Sequence, residues 1–470
     1  MLKNKVKFSG IELTAIFGES SLQNIDLKIE TTGVSIDTRE IEQGNIFIAL
    51  VGDNIDAHSK LQEAFDKGAA LAIVNKDWYE KNINYIENLP LILVKDTLKA
   101  FQRLAQFHRY KFNGDIIAVA GSNGKTTTKE MIAAVLSKKY RILKTYKNYN
   151  NQIGVPQMLL QLNDDIDIAV IEIGTNYPGE IMILSEMIAP TAGIITNIGR
   201  EHLEGFIDLD GVELEETTLL SYLKKTEGMF FLNNDDTILR KYFWILDSKF
   251  TFGSTGEFKS NLNAKIEFDE DLHPIIEFSN DEFNFTAKLQ CQGLNFAYNA
   301  IAAASVGVHY NVPISDIQDA LENFQADNSE SYGRGLVEKI GDLLLINDTY
   351  NANPDSMNIA LQTLQKYNHA TKKIAVLGDM LELGEVSIDE HIEVLKKAGE
   401  IANSIYIFGK EFKQASDKLN NSKIKNFENK DELFESLKSE ISSNTAILVK
   451  GSRGMKMEEI VEKIKNYLQY

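Results

Sequence analysis

The segment AVAGSNGKTTTKEM, Ala118–Met131, decides the fold of the central part of this chain. An apolar run ends in a loop with two glycines, and Lys125 and Thr126 then open a helical pattern. Glycines let backbone N–H groups crowd around a phosphate, and a helix N-terminus adds a dipole that favours negative charge. The segment therefore predicts a phosphate-binding loop. Lys125 would neutralise the β- and γ-phosphates, and the Thr126 hydroxyl would bind Mg²⁺.

This loop departs from the strict Walker pattern at one position, because Val119 stands where the first glycine is expected. An ordinary glycine-rich turn between a strand and a helix is the alternative interpretation. If the loop binds a nucleotide, the residues that contact it are those of the loop and the first helical turn: Gly121, Ser122, Asn123, Gly124, Lys125, Thr126 and Thr127.

Outside this segment, short apolar runs alternate with helical patterns, which is typical of α/β folds built on parallel sheets. A length of 470 residues suggests about three domains. We predict an α/β fold with domain bounds 1–112, 113–328 and 329–470. Alternating sequence over 251–290 predicts an antiparallel meander inside the second domain, and the third has a doubly wound, Rossmann-like pattern.

Composition excludes several classes of protein. The chain has 68 acidic and 49 basic residues and a formal charge of −19, so we expect no nucleic-acid partner. Its single cysteine allows no internal disulfide and no cysteine-based metal site. The first residues lack a signal-peptide pattern and no apolar run is long enough for a membrane span, so we expect a cytoplasmic protein.

Two side chains that follow predicted strands are candidate metal ligands. Glu172 ends the apolar run IAVIEIG, and His202 lies in TNIGREHLEGF. A magnesium nucleotide needs hard oxygen ligands beyond its phosphates, and strand ends beside a phosphate loop face the γ-phosphate. Taken alone, a glutamate at a strand end is usually a solvated cap and a single loop histidine is usually structural.

Seven motifs, in order along the chain, together resemble the Mur ligases. They are AGSNGKTTTKEM (120–131), YNNQIGVP (149–156), EIGTN (172–176), TNIGREHLEGF (196–206), NDTYNANPDSM (347–357), LGDMLELGE (377–385) and VKGSRGMKME (449–458). Nearer the N-terminus, SIDTRE (35–40) and GDNIDAH (52–58) fit the nucleotide-sugar domain of the same family. The resemblance therefore covers all three predicted domains.

The resemblance implies an ATP- and Mg²⁺-dependent amide ligase of peptidoglycan (cell-wall) precursor synthesis. Within the family, the motifs are most similar to those of the branch that joins D-alanyl-D-alanine to UDP-N-acetylmuramoyl-tripeptide through an acyl phosphate. It implies a UDP-precursor-binding first domain, an ATP-binding P-loop second domain and a Rossmann-like ligase third domain, in a monomer. Another ligase of this superfamily, including one that adds glutamate to folate, and a nucleotide-binding regulator without turnover stay open as alternatives.

The same resemblance assigns roles around the nucleotide. Lys125, Glu172, His202 and Arg334 match catalytic positions, and Thr126, Glu172 and His202 match metal ligands. Asn299 resembles the asparagine that contacts the base, although Asn295-Phe296 stands where the family usually has a His-Asn pair. Arg334 resembles the arginine that closes onto the phosphates, and Asp348 resembles the ribose or adenine contact.

The resemblance also suggests the residues that bind the two substrates. At the uridine-diphosphate end we expect Ser35, Asp37, Thr38 and Arg39, although Asp-Thr-Arg after a strand could equally be a helix cap with a surface arginine. Asn150 and Asn151 would face the muramoyl-peptide. The loops where the dipeptide and the tripeptide meet would contribute Asn351, Asn353, Asp355, His391, Lys450 and Arg453.

One position departs from the family. Mur ligases generally carry, about fourteen residues beyond the metal-binding histidine, a lysine that CO₂ carbamylates into an anionic ligand. Glu216 stands at that distance from His202, flanked by Glu213 and Glu215, and no lysine precedes Lys224. We expect Glu216 to supply the negative charge directly, because carboxylates and carbamates offer Mg²⁺ similar hard oxygens. The alternative is that this acidic stretch is a solvated helix face.

Overall fold

The structure is a computed structural model and describes residues 3–52, 54–326 and 333–468. Its internal contacts divide the chain into two compact units. Unit 1 consists of Met1–Ile117, Arg141–Ile173 and Met182–Pro190. Unit 2 consists of Ala118–Tyr140, Gly174–Ile181 and Thr191–Tyr470. Three separate sheets, with helices between their strands, give the α/β architecture that the sequence predicts.

The first sheet lies in unit 1 and has five strands in the order β1-β5-β4-β3-β2, with only the β1–β5 pair antiparallel. Its parallel strands are almost wholly buried, as expected where helices cover a sheet. The strands are β1 (Leu22–Gln23), β2 (Gly33–Ser35), β3 (Asn45–Ile48), β4 (Leu71–Asn75) and β5 (Leu91–Val94). The helices are α1 (Gly10–Phe17), α2 (Leu61–Asp66), α3 (Lys76–Ile86) and α4 (Thr97–Arg109).

The second sheet has nine strands in the order β14-β13-β12-β11-β10-β9-β6-β8-β7. The strands are β6 (Asp115–Ala120), β7 (Ile142–Lys144), β8 (Ile168–Glu172), β9 (Ala192–Ile195), β10 (Met229–Asn233), β11 (Lys249–Gly253), β12 (Leu262–Phe268), β13 (Pro274–Ser279) and β14 (Asn284–Lys288). Strand β6 gives its first half to unit 1, with β7 and β8, and its second half to unit 2, with β9 to β14.

Around this sheet, the described residues form eight α-helices, and the two longest pack together. The eight are α5 (Lys125–Leu136), α6 (Gly154–Leu159), α7 (Glu180–Ile188), α8 (Leu203–Phe206), α9 (Leu209–Glu216), α10 (Thr218–Lys225), α11 (Leu294–His309) and α12 (Ile314–Glu322). Helix α11 is rich in alanine and buried along most of its length, which lets it approach α5 closely. The predicted antiparallel meander is confirmed in β12 to β14.

The third sheet lies in unit 2 and has six strands in the order β15-β16-β20-β17-β18-β19, with only β15 antiparallel to its neighbour. The strands are β15 (Leu336–Ile340), β16 (Leu343–Asp348), β17 (Lys372–Gly378), β18 (Ser404–Phe408), β19 (Ile424–Phe427) and β20 (Thr445–Lys450). The helices are α13 (Pro354–Lys366), α14 (Ser387–Ile401), α15 (Lys410–Asp417), α16 (Lys430–Lys438) and α17 (Glu458–Leu468). The parallel strands carry their functional loops at their carboxyl ends.

The predicted bound between residues 112 and 113 falls in the connection between α4 and β6. The predicted bound between 328 and 329 lies outside the described residues, so both domain bounds stay predictions. Over the described parts of the chain, no helix is both long enough and apolar enough to cross a membrane.

Candidate active site

The phosphate loop links the end of β6 at Ala120 to the first residue of α5 at Lys125. Gly121 and Gly124 have φ angles of 114° and 82°, a region that L side chains rarely adopt. A Cβ on Gly124 would lie 2.6 Å from Asn299 Oδ1, so the loop also leaves no room for a side chain there. The sequence therefore needs both glycines, and the helix N-terminus opens directly onto the loop.

Lys125 folds back over this loop. Its Nζ donates to the Gly121 carbonyl oxygen at 2.5 Å and lies 3.5 Å from Glu201 Oε2. Its side chain is only 16 % exposed. The lysine ammonium thus lies at the loop beside the carbonyl oxygens of Gly121 and Ser122 and the Glu201 carboxylate, which is where a β- or γ-phosphate would meet it.

Glu216 is fully buried beside the same loop. Its Oε2 accepts the Gly121 N–H at 2.9 Å, whereas its Oε1 has no hydrogen-bond partner among the residues that the structure describes. Burial, reinforced by the nearby Glu201 carboxylate, raises the pKa of Glu216 to about 8. Burial therefore favours the protonated form of this carboxyl at neutral pH, and a cation bound beside it would favour the ionised form.

The acidic stretch of α9 is not a solvated face, so that alternative is wrong. Glu213 receives Lys241 Nζ and the Tyr242 hydroxyl, both at 2.9 Å. Glu215 is buried and accepts the backbone N–H groups at the start of α7 and just before it. The exposed residue of this turn is instead Leu214, at 76 %. Each of the three glutamates thus has different hydrogen-bond partners, and Glu216 is the one that contacts the phosphate loop.

These residues fit a magnesium ion that is held mainly by phosphate and water. Glu201 Oε1 and Glu216 Oε1 are buried oxygens without a hydrogen-bond partner in the described parts of the chain. Buried carboxylate oxygens normally find a partner, and a hard cation is one such partner. No three acidic, histidine or cysteine side chains among the described residues form a metal cage by themselves. That is typical of Mg²⁺ sites completed by substrate phosphates.

Asn299 lies against the phosphate loop, on the buried face of α11. Its Oδ1 accepts the Thr128 hydroxyl at 3.1 Å, and it closes the space over Gly124. The structure therefore brings this predicted nucleotide contact to the predicted phosphate loop.

A loop that follows β16 also reaches the phosphate loop. Asn353 Nδ2 donates to Asn123 Oδ1 at 3.0 Å, while Asn353 Oδ1 caps α13. Asp355 accepts the backbone N–H of Arg200 at 2.7 Å. A predicted substrate-binding loop and a predicted ATP-binding loop are thus in direct contact within unit 2.

Asp348, Lys450 and Asn351 form a second group at the carboxyl ends of β16 and β20. Asp348 and Lys450 are paired in the sheet register, and Lys450 Nζ donates to Asp348 Oδ2 at 2.6 Å. The same ammonium donates to the Asn351 carbonyl oxygen at 2.9 Å. Lys450 is buried, so these two contacts compensate its charge.

Two predicted arginines share one aromatic ring. The guanidinium carbon of Arg334 lies 3.6 Å from the Tyr350 ring centroid, and that of Arg453 lies 5.9 Å from it. Arg453 is exposed, and its nearest carboxylate is Glu458 at 3.4 Å. Two cations on one ring form a place where an anion can be received.

His391 is a buried brace of the loop after β17. Its Nε2 accepts the Met380 N–H at 3.0 Å, and its Nδ1 donates to the Ser387 carbonyl oxygen at 2.7 Å. Burial lowers the pKa of His391, which keeps the ring neutral as these two bonds require. With both nitrogens engaged, His391 acts on the site through the loop that it holds.

His202 precedes α8 in a left-handed conformation, with φ of 47°. The ring is half-buried, and its Nδ1 lies 2.6 Å from Glu382 Oε2. This contact joins the segment after β9 to the loop after β17, both within unit 2.

In unit 1, Glu172 ends β8 and is buried. Asn150 Nδ2 donates to Glu172 Oε1 at 2.9 Å, and the Glu172 N–H is donated to the Thr145 hydroxyl at 2.8 Å. Asn151 instead caps α6 by accepting the N–H groups of Ile153 and Gly154. One hydrogen bond therefore joins two of the family motifs, EIGTN and YNNQIGVP.

The predicted uridine-diphosphate residues of unit 1 make hydrogen bonds within that unit. Asp37 caps a short helical turn and pairs with the exposed Arg39, whose Nε lies 3.0 Å from its carboxylate. Ser35 Oγ donates to the Asp37 carbonyl oxygen, and the Thr38 hydroxyl donates to Glu63. The structure therefore agrees with the alternative interpretation, in which Asp37 is a helix cap and Arg39 lies at the surface. A role for these four residues in substrate binding stays a prediction.

Sequence reasoning missed four residues of the site: Asn197, Arg200, Glu201 and Glu382. Three of them stand in the motif TNIGREHLEGF, within the five residues before His202, and Glu382 stands in LGDMLELGE. Position within a recognised motif was the available signal. Asn197, for example, accepts the Asn123 N–H through its side chain at 3.1 Å.

Comparison with known proteins agrees with this geometry. The Mur ligase middle domain matches residues 119–307, and the Mur ligase glutamate ligase domain matches residues 335–453. UDP-N-acetylmuramoyl-tripeptide–D-alanyl-D-alanine ligase of Bacillus subtilis (strain 168) is 33 % identical over 439 residues, which cover 92 % of each chain.

Two solved structures are similar over nearly the whole length. A crystal structure of MurF from Acinetobacter baumannii superposes with a TM-score of 0.86 at 27 % identity, covering 99 % of this chain and 100 % of that one. MurF ligase from Thermotoga maritima in complex with ADP gives a TM-score of 0.80 at 26 % identity, covering 93 % and 97 %. The chain belongs to the Mur ligase family.

Proposed function

We propose that this protein is an ATP-dependent ligase that joins D-alanyl-D-alanine to UDP-N-acetylmuramoyl-tripeptide in peptidoglycan precursor synthesis. One observation supports it above the others: the chain matches relatives named for this reaction from end to end, at 33 % identity over 92 % of both chains. The phosphate loop alone would fit many nucleotide-binding proteins. A match through all three predicted domains also includes the first and third domains, where we expect the substrates to bind.

The first chemical step makes the tripeptide carboxylate reactive. A carboxylate oxygen attacks the γ-phosphorus of ATP, the bond to the bridging oxygen breaks, and ADP leaves while an acyl phosphate forms. Such a step depends on positioning and on neutralising phosphate charge. Lys125 lies at the phosphate loop, where its ammonium contacts the Gly121 carbonyl oxygen and Glu201 and can also meet the phosphates when ATP binds.

The second step forms the amide bond. The amine of D-alanyl-D-alanine attacks the acyl carbon, and the tetrahedral intermediate releases inorganic phosphate. The loop of Asn353 and Asp355 touches the phosphate loop, so an acceptor held there would meet the acyl phosphate. Arg334 and Arg453, on the Tyr350 ring, are our candidates to bind phosphate or the dipeptide carboxylate.

Within unit 2, the residues that would hold Mg²⁺ are Thr126, His202 and Glu216, whereas Glu172 of unit 1 stays a predicted ligand on its motif alone. When bound, the ion would draw electron density from the γ-phosphate and favour attack on it. Glu216 already lies beside the phosphate loop with one oxygen lacking a partner among the described residues. It is therefore our candidate for the anionic role that a carbamylated lysine has in other Mur ligases.

The test is acceptor-dependent ADP formation by the purified chain. UDP-N-acetylmuramoyl-tripeptide and ATP are mixed with D-alanyl-D-alanine or, in matched reactions, with D-alanine, D-glutamate, L-lysine or diaminopimelate. Parallel reactions replace the UDP-tripeptide with UDP-muramoyl-dipeptide or with a folate. We expect ADP, phosphate and a UDP-muramoyl-pentapeptide only when the tripeptide and D-alanyl-D-alanine are both present.

Each alternative has its own signature in this assay. Turnover with a single amino acid, or with folate and glutamate, would assign the chain to another ligase of the superfamily. ATP binding without ADP formation under every combination would assign it to the regulators.

A further inference from the structure

Two loops of unit 2 meet through Glu382 and the segment that carries His202. Glu382 Oε2 lies 2.6 Å from His202 Nδ1, and the Glu382 carbonyl oxygen accepts the Glu204 N–H at 3.0 Å. One residue therefore holds the His202 segment through both its side chain and its backbone.

Both partners have backbones that L residues rarely adopt. His202 has φ of 47° and Glu382 has φ of 65°. Around Glu382, the loop is fixed because Met380 donates its N–H to His391 and Leu381 donates its N–H to Ser452 Oγ at 2.8 Å. Strained residues held in place by their surroundings concentrate at functional sites, and here two of them face each other.

The contact determines which ring nitrogen of His202 carries the proton. A carboxylate only accepts, so Nδ1 must be the donor, and Nε2 of the neutral ring keeps its lone pair for a ligand. A carboxylate behind a histidine also fixes the ring orientation and raises the basicity of the other nitrogen. This matters most for Mg²⁺, which prefers oxygen and binds an imidazole weakly.

We propose that Glu382 is a positioning residue that orients His202 and prepares its Nε2 for the metal of the Mg–ATP complex. Because Glu382 follows β17 and His202 follows β9, the metal site would be complete only when these two segments are in contact. The inference rests on the proposed function, since it takes His202 as a metal ligand.

A second contact between the same parts of unit 2 supplies the matched control. Arg200 donates to both oxygens of Glu390, at 2.9 and 2.7 Å, and touches no candidate metal ligand in these pairs. If Glu382 merely holds two segments together, removing Glu390 should have the same consequences. If Glu382 orients His202, only removing Glu382 should affect the metal.

The test measures metal affinity as well as activity. The full chain, saturated with ADP, is titrated with Mn²⁺ and followed by electron paramagnetic resonance, for the wild type and for Glu382→Gly, Glu382→Gln, Glu390→Ala and His202→Asn. Glu382 is 56 % exposed, so we expect Glu382→Gly to weaken Mn²⁺ binding about tenfold, at the lower end of the usual range. Glu382→Gln keeps a hydrogen-bond acceptor, so its Mn²⁺ affinity should lie between those of the wild type and Glu382→Gly.

Glycine is chosen as the replacement so that a loss of metal affinity cannot be attributed to a folding defect. Because Glu382 has φ of 65°, Glu382→Gly relieves strain and should leave the unfolding temperature unchanged or raised while metal affinity falls. Nitrogen-15 NMR of the histidine rings, assigned with His202→Asn, should show an Nδ1–H tautomer in the wild type that Glu382→Gly loses.

Wild-type Mn²⁺ affinity in Glu382→Gly, or an equal loss in Glu390→Ala, would overturn the inference and leave the proposed function intact. If His202→Asn binds Mn²⁺ as the wild type does, both the metal role of His202 and this inference are wrong. The ligase assay with two substrates then decides separately whether the proposed reaction stands.

Discussion

At the scale of single residues, the site depends on charged side chains that the fold places next to one another. Lys125, Glu201 and Glu216 gather at one glycine loop, two acids around one base. Burial and the nearby Glu201 disfavour ionisation of Glu216, and a bound cation would offset this. This arrangement is consistent with a site built for an ion and a polyphosphate.

Replacing Lys125 tests the phosphate loop. Lys125→Ala should lower turnover by about 10³-fold or more, because the γ-phosphate charge that develops in the transition state is left without its cation. UDP-precursor affinity, measured by calorimetry, should stay within about twofold, because the residues expected at the uridine-diphosphate end are in residues 1–112. Lys138→Ala, just beyond the same helix, is the control and should be close to wild type. A Lys125→Ala enzyme with a tenth of the wild-type rate would refute the assignment.

Replacing Glu216 tests its role as the anionic metal ligand. Glu216→Gln should raise the Mg²⁺ concentration needed for half-maximal activity, because a neutral amide is a weaker ligand for a hard cation. The wild type should be indifferent to removal of bicarbonate, whereas Glu216→Lys should gain activity when bicarbonate is added. Glu213→Gln, on the same helix but paired with Lys241, should keep the wild-type Mg²⁺ requirement. An unchanged requirement in Glu216→Gln would show that its oxygen does not contact the metal.

At the scale of elements, the turn between α8 and α9 stores strain. Ile207 has φ of 74° and ψ of −55°, is β-branched and is 80 % exposed. This corresponds to the rare γ-turn, in which a side chain is strained and gains nothing from burial.

Relieving that strain should stabilise the protein. Ile207→Gly is expected to raise the free energy of unfolding by about 0.5 to 1 kcal/mol, since the strain removed exceeds the extra freedom of the unfolded chain. Leu214 is also exposed but lies inside α9, so Leu214→Gly should instead lower the free energy of unfolding by about 1 kcal/mol. Urea unfolding measures both, and a destabilised Ile207→Gly would mean that the isoleucine makes contacts that offset its backbone.

A second element-scale feature is the carboxylate after α16 that joins three strands. Glu440 accepts from Ser404 and Tyr406 of β18 at 2.7 and 2.9 Å, from Lys372 of β17 at 2.8 Å, and from Lys425 of β19. Burial would raise the pKa of Glu440, but the two lysines and two hydroxyls outweigh it and lower this pKa to about 2.

The pH dependence follows from that direction. A pKa that is lower in the folded state stabilises the protein above the unfolded value near 4.5, and this stability is lost as pH falls from about 4.5 to about 2. Glu440→Gln should therefore cost about 1 to 2 kcal/mol at pH 7, allowing for solvent screening, and about a quarter of that at pH 2.5, where the folded-state carboxylate is still partly ionised. Calorimetric unfolding at both pH values checks this, and a cost independent of pH would rule out the charge as its source.

The sequence predicted most of these elements because their signals are local. Buried strands such as β5 and β16, and the turn into α5, show as apolar runs and glycines in a few consecutive residues. Edge strands such as β1 and β15 were missed, since half-exposed strands have weak patterns and depend on their neighbours. The pairing of His202 with Glu382 could not be predicted, because 180 positions separate them and only the folded chain joins them.

At the scale of the whole molecule, the family motifs are shared between the two compact units. Unit 1 holds Glu172, Asn150 and the expected precursor residues, whereas unit 2 holds the phosphate loop and the acceptor loops. Each unit therefore carries a part of the predicted set of functional residues.

If ATP activates the tripeptide carboxylate as an acyl phosphate, an oxygen atom must pass from that carboxylate to the released phosphate. UDP-N-acetylmuramoyl-tripeptide carrying oxygen-18 in its terminal carboxylate is turned over with ATP and D-alanyl-D-alanine, and the released phosphate is analysed by mass spectrometry. We expect one labelled oxygen in each phosphate and one equivalent of UDP-muramoyl-pentapeptide. Pentapeptide formed together with unlabelled phosphate, or ADP formed without pentapeptide, would contradict the proposed reaction.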